Sequence, residues 1–265
     1  MGGLNSRRLR DPLLVLLILA GLFFGLGPLL APKQFGDISV FKSQDIFVYR
    51  LAGAATLGYG VGLLVGFRAP WRELRILIAS TAVFNAASIG ACVVAILQGG
   101  APWLVFVIML ASILFTAGTL YLLVNPPLAA GESAAPTGPR DIATWVIGLF
   151  AIGTLASLVF GLGPLVAAGG FGRAIGYPGL DDFIYRQAGA ATFGACVGGL
   201  LVLQSQRWRE IRLPAVSAIT FNGAAALAAI VEIVGGNPQP VAYVILGASV
   251  VVTAGMAVAW QRQGQ

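Results

Sequence analysis

Eight uninterrupted apolar runs divide the 265-residue sequence, near 12–31, 46–66, 74–97, 102–124, 142–167, 183–203, 211–235 and 239–260. A hydrocarbon core about 30 Å thick takes roughly 20 residues of helix, so each run is long enough to cross it. In lipid the backbone must satisfy its own hydrogen bonds, which leaves helices as the solution for runs of this length. Composition agrees, with 58% of residues hydrophobic and 10% charged, against about 45–50% and about 25% in soluble domains. The expectation is an all-α, polytopic membrane protein with eight transmembrane helices. Breaks fall at Ala31-Pro32, Ala69-Pro70, Gly99-Gly100-Ala101-Pro102, Asn125-Pro126-Pro127 and Gly235-Gly236-Asn237-Pro238, where turn chemistry ends a helix. The first run follows Arg7, Arg8 and Arg10 without a convincing small-residue cleavage site, so a retained first span is expected.

Cations set the expected orientation, because cytoplasmic loops collect Lys and Arg. With the N-terminus inside, 11 of 16 cations (Arg7, Arg8, Arg10, Arg68, Arg72, Arg75, Arg140, Arg207, Arg209, Arg212 and Arg262) are cytoplasmic, and Lys33, Lys42, Arg50, Arg173 and Arg186 are not. An even number of spans returns the C-terminus to the same side. The net charge of +6 is therefore a topology signal, and no basic cluster has the aromatic interleaving that a nucleic-acid partner would require. The expected location is the cytoplasmic membrane, with both termini cytoplasmic.

The two halves of the chain match in register. Phe24-Gly25-Leu26-Gly27-Pro28-Leu29 returns as Phe160-Gly161-Leu162-Gly163-Pro164-Leu165, and Tyr49-Arg50 with Ala52-Gly53-Ala54-Ala55-Thr56 returns as Tyr185-Arg186 with Ala188-Gly189-Ala190-Ala191-Thr192, both at an offset of 136. After one inserted residue, Trp71-Arg72-Glu73 pairs with Trp208-Arg209-Glu210, Phe84-Asn85 with Phe221-Asn222, and Thr116-Ala117-Gly118 with Thr253-Ala254-Gly255. The expected organisation is a first four-helix repeat over 1–124, a cytoplasmic linker over 125–141 and a second repeat over 142–265, as two tandem parallel four-helix bundles. Each unit has an even number of spans, so the two run parallel about an axis along the membrane normal. A four-helix unit with a Gly-Pro end to its first helix, a Tyr-Arg-x-x-Gly opening of its second and an Arg-rich turn before its third resembles the DoxX-like group of small bacterial membrane proteins, here duplicated. That resemblance implies the fold and, from some members, a role as a membrane subunit of a redox complex; it implies no catalytic residue.

The chain has no histidine, which removes His-ligated haem, His-containing zinc or copper sites and a Ser-His-Asp triad. Cys92 and Cys196 form no C-x-x-C pair and read as small core residues. No metal and no cofactor is expected.

The remaining signals are polar or small residues at membrane depth. Gly58, Gly62 and Gly66 in the second span, and Gly194 and Gly198 in the sixth, recur every four residues and put a small-residue stripe on one face; packing and a glycine-lined pore are the alternatives. Arg50 and Arg186, each after a tyrosine (Tyr49, Tyr185), are either interfacial anchors or an anion or headgroup site. Asp182, four residues before Arg186, is placed to pair with it, while Asp45 reads as a helix N-cap. Asn85 and Asn222 lie ten residues beyond Arg75 and Arg212, about 15 Å into the bilayer, with Thr56 and Thr192 at similar depth. An Asn–Thr bond between helices and a polar ligand site between the repeats are both open. Glu232 is the one acid well inside a span, either a partner of Arg186 or a functional carboxylate. Trp71 and Trp208 read as interfacial belts.

These features point to a non-catalytic membrane component, either an accessory or a scaffold, whose partners are the lipid bilayer and other membrane subunits or a second copy. The alternative is a facilitator or transporter of a small polar or lipidic solute. A lipid-modifying enzyme is a third reading, for which no nucleophile is visible.

Overall fold

The computed structural model describes residues 2–39, 45–128, 139–177, 181–236 and 238–263. It is helical throughout these residues, with no strand among them. The helices are α1 Gly2–Leu30, α2 Pro32–Ser39, α3 Ile46–Val65, α4 Trp71–Leu97, α5 Trp103–Val124, α6 Thr144–Ala174, α7 Asp182–Ser205, α8 Trp208–Val234 and α9 Pro240–Gln263. All but α2 are long and apolar enough to span a membrane, giving the eight expected. Lys42, Asn237 and most of the expected linker, residues 129–138, lie outside the described residues.

The first helix of each repeat bends at the same place. A proline inside a helix removes one backbone donor and crowds the preceding turn, and Pro28 in α1 and Pro164 in α6 both do so near the helix end. The chain breaks at Ala31 to start α2; 136 residues later, Ala167 leaves helical geometry inside α6 (φ −133°, ψ 57°). Past each bend an aromatic ring folds back, Phe35 against Phe24 at 6.2 Å and Phe171 against Phe160 at 5.7 Å between ring centres. The sequence places the end of the fifth span at 167; the structure continues it as helix to Ala174 beyond this elbow.

Two bundles side by side, each with its own core, is not the packing observed. Within a repeat the second and third helices scarcely touch, whereas α3 lies along α8 and α4 along α7. The four central helices thus form one interleaved core, and α1, α5, α6 and α9 flank it. The glycine stripes explain the exchange. A Cβ placed on Gly58 would sit 2.8 Å from the Ser217 carbonyl oxygen of α8, and one on Gly194 would sit 2.8 Å from the Ser80 carbonyl oxygen of α4. Gly62 and Gly66 continue against Ser217 and Leu213, and Gly198 against Ser80. Neighbouring helices without a Cβ at the contact approach backbone to backbone, the main source of helix attraction in lipid. The stripes are packed, and no glycine-lined pore runs along them.

Tyr59 fastens this core from within. Its hydroxyl donates to the Ala191 carbonyl at 2.8 Å and lies 3.1 Å from Ser80 Oγ, which donates to the Gly194 carbonyl at 2.7 Å. Its ring stacks on Phe84 at 5.2 Å. One side chain therefore ties α3, α4 and α7.

Gly194→Leu drives a branched side chain into the α4 backbone and is expected to destabilise the protein by about 1–3 kcal/mol or more, the usual range for overpacking. Gly90→Leu, where an added Cβ meets nothing within 4 Å, is expected to be neutral. Thermal unfolding in mild detergent, followed by tryptophan fluorescence, separates the two.

Candidate functional site

Polar groups gather at three levels: the arginine-rich end, the opposite end and the middle of the bundle. At the arginine-rich end the repeats exchange ion pairs. Arg75 of α4 binds Glu210 of α8 at 2.7 Å, and its repeat counterpart Arg212 binds Glu73, the counterpart of Glu210. Arg209 adds a second contact to Glu73 at 3.0 Å. Both carboxylates are buried, each residue 2% exposed. A buried carboxylate is tolerable only when paired and hydrogen-bonded, and Ser205 Oγ supplies a further donor to Glu210. Trp71 and Trp208, expected in interfacial belts, are buried at 4% and 8% exposure; the Trp208 ring packs edge-on against Trp260 of α9 at 6.0 Å. Arg10 donates to the carbonyls of Phe67 and Ala69, and Arg7 to that of Leu128, so the N-terminus, the α3–α4 turn and the end of α5 share this end.

At the opposite end α3 and α7 begin side by side, which fixes the two repeats as parallel. Asp45 occupies the N-cap position of α3 without a side-chain cap bond; its carboxylate instead accepts from the Asp181 N–H of the other repeat at 3.3 Å. Tyr49 OH donates to Asp181 Oδ2 at 2.9 Å. Burial pushes the Asp181 carboxyl above the usual carboxylate range, a shift opposed by the Tyr49 hydrogen bond and reinforced by the nearby Asp45 charge. Arg186 pairs with Asp182 at 3.3 Å, as its spacing implies. It does not pair with Glu232, which accepts a hydrogen bond from Tyr177 at 3.1 Å. Tyr177, three residues past the end of α6, thus reaches α8, and its ring packs on Phe47 at 5.2 Å. Burial raises the Tyr177 hydroxyl to about 12, so it stays a donor. Tyr185 OH donates to the Tyr177 carbonyl at 2.9 Å. Arg50, half-buried, has no acidic partner among the described residues, since the counterpart of Asp182 is Ile46.

The interhelical Asn–Thr bond expected at mid-membrane is absent. Asn85 donates to the Thr81 carbonyl at 2.8 Å and Asn222 to that of Ala218 at 2.9 Å, while Thr56 and Thr192 return to Ala52 and Ala188. Each side chain satisfies its donor on the preceding turn of its own helix. The two asparagines open into separate cavities, each walled by both repeats. Thr56 and Asn85 line one of about 110 Å³ among α1, α3, α4 and α5, which α7 enters through Phe183, Ile184 and Gln187. Thr192 and Asn222 line one of about 270 Å³ among α6, α7, α8 and α9, with α3 and α4 contributing Leu51, Tyr59, Ile76 and Ser80 to its wall. Both are partly open, and their outer walls, α1 with α5 and α6 with α9, meet sparsely. No charged side chain lines either.

The smaller cavity holds a polar chain that single-residue reading misses. Ser112 Oγ donates to Ser88 Oγ at 3.2 Å, and Ser88 Oγ donates to Gln187 Oε1 at 2.7 Å. Gln187 reaches in from the other repeat. Comparing the halves position by position carries the signal, since Gln187 corresponds to Leu51 and Ser88 to Ala225.

No family model matches this chain, and no curated protein or solved structure matches it.

Glu210→Ala leaves Arg75 without its acid at a mostly buried position and is expected to cost about 2–4 kcal/mol, below the full buried-pair loss because Arg75 is partly solvated; Glu73→Ala releases Arg209 and Arg212, whose side chains are more exposed and stay hydrated, and is expected to cost less. Chemical or thermal unfolding in detergent checks both. Asp181 gives a pH signature. Its folded-state affinity for a proton exceeds the unfolded one, so its stabilising contribution is full below the ordinary carboxylate range and is lost as pH rises through the raised value. The stability difference between wild type and Asp181→Asn is expected to shift in favour of the variant across that window, and a difference independent of pH contradicts the assignment.

Proposed function

We propose that this chain is a non-catalytic component of the cytoplasmic membrane that holds a largely apolar small molecule from the bilayer. The observation that carries this reading is the pair of cavities at mid-membrane, walled mainly by apolar side chains and partly open. Concave, mostly apolar sites with a few polar groups are the usual form of a small-molecule site. The buried charges support the same reading, because Glu73 and Glu210 are engaged in ion pairs between α4 and α8 and Arg186 in one within α7. A facilitator of a lipidic solute shares the cavities. An accessory subunit, as the DoxX-like resemblance implies, would present such a molecule to a partner. The broad apolar faces of α5 and α9, little buried within the chain, suit contact with lipid or with membrane subunits. The arginine-rich end belongs on the cytoplasmic side, by the excess of positive charge there.

Purification in mild detergent, followed by native mass spectrometry, is expected to show the chain carrying a tightly held apolar molecule that survives detergent exchange. A bare chain with no retained lipid or protein overturns the proposal.

A further inference from the structure

Resting on the reading that the cavities hold a ligand, we infer that the larger cavity alone, the one that Asn222 lines, is the ligand site. The ligand is a neutral, mainly hydrocarbon molecule with one hydrogen-bonding oxygen. Six wall positions of the smaller cavity have a reduced counterpart in the larger one. Where the first repeat has Leu17, Tyr59, Leu63, Thr81, Ser88 and Phe115, the second has Gly153, Ala195, Gly199, Ala218, Ala225 and Val252. These changes remove volume on four different helices that face one space, and they outweigh the one small gain, Ser157 in place of Gly21. Loss of packing atoms from a core is unfavourable unless something else occupies the room. Larger side chains, with Gln187 from the other repeat, reduce the smaller cavity to about 110 Å³; the larger one keeps about 270 Å³, nearly twice the roughly 150 Å³ that holds one benzene. That is room for a ring with a short tail or for a chain of several methylenes.

The polar groups fix the ligand's chemistry. Ser112 and Ser249 are repeat counterparts, each 4% exposed. Ser112 is satisfied by Ser88, itself held by Gln187. In the second repeat those partners are Ala225 and Leu51, and Ser249 lines the cavity with no hydrogen-bond partner among the described residues. Asn222 on the facing helix spends its N–H on Ala218, which leaves its carbonyl oxygen as an acceptor. A buried hydroxyl without a partner is unfavourable, and a ligand hydroxyl satisfies both groups by accepting from Ser249 and donating to Asn222. No charged residue lines the space, so an ionised headgroup would be desolvated without a partner. Ser249 lies nine residues into α9, about 14 Å along its axis, so the oxygen is held at mid-membrane depth and the ligand arrives sideways, between α6 and α9.

The test uses the full chain in lipid nanodiscs and two probes, a medium-chain alcohol bearing a diazirine and the alkane of the same length bearing the same group. After photolysis, labelled peptides are mapped by mass spectrometry. The expected result is alcohol labelling in α6, α8 and α9 at least several-fold above that in α1 and α5, which line only the smaller cavity. Gly153→Leu, at a position where an added Cβ meets nothing within 4 Å, is expected to abolish most of it. Gly90→Leu, the same change outside the cavity, is expected to leave it intact. Ser249→Ala is expected to bring alcohol labelling down to the alkane level. Equal labelling of α1 with α5 and of α6 with α9 overturns the single-site inference while leaving the binding function standing. Equal labelling by alcohol and alkane in the wild type overturns the oxygen requirement. Labels confined to outer, lipid-facing residues overturn the binding function together with this inference.

Discussion

At Gly58 and Gly194 the main chain of one repeat lies directly on a helix of the other, with no side chain between them. Lipid is as apolar as leucine, so transmembrane helices gain nothing by burying hydrophobic surface against each other; close van der Waals contact is what remains. The strongest contact available to each second helix is with the third helix of the opposite repeat, and the rest of the architecture follows from that choice. It brings the starts of α4 and α8 together, so their arginines and glutamates meet across the repeats. It also sets Asp45 beside Asp181 at the other end. The first and fourth helices of each repeat are left on the outside, loosely joined, and the cavities form in that looseness.

Much of this was legible in the sequence. Runs of about 20 apolar residues can do little but span, so eight helices followed from counting, and the four-residue glycine spacing marked the faces that pack. Asp182 and Arg186 are near neighbours on one helix and were placed by spacing alone. Contacts decided by which helix stands opposite were not legible. Periodicity assigns a residue to a face but does not name the face it meets, so Glu232 found Tyr177 rather than Arg186. Asn85 and Asn222, at equal depth, proved to belong to separate cavities. The tryptophans of the Trp-Arg-Glu motifs are interfacial by type, yet both are buried.

Duplication also makes the chain a record of its own variation. Two copies of one backbone plan sit in the same membrane, so a difference between them is a difference in side chains at matched positions. The exchanged pairs of Glu73, Arg75, Glu210 and Arg212 and the contacts at Gly58 and Gly194 keep their residues in both copies. Several cavity-wall positions do not: Gln187 corresponds to Leu51, and Ser88 to Ala225. Such divergence separates positions that maintain the assembly from positions free to specialise, without reference to any other protein.

The exchanged ion pairs have the form of an isologous dimer, in which residue i of one unit meets residue j of the other and j meets i, except that both units share one chain. A ribosome delivers them in order. Glu73 enters the membrane while Arg209 and Arg212 are still unsynthesised, and Arg75 waits in the same way for Glu210. Until the second half arrives, the first half carries its charges unmatched and must keep them hydrated at the membrane surface. The burial of Glu73 and Arg75 against their partners therefore waits until α8 has been made, however early α3 and α4 enter the membrane.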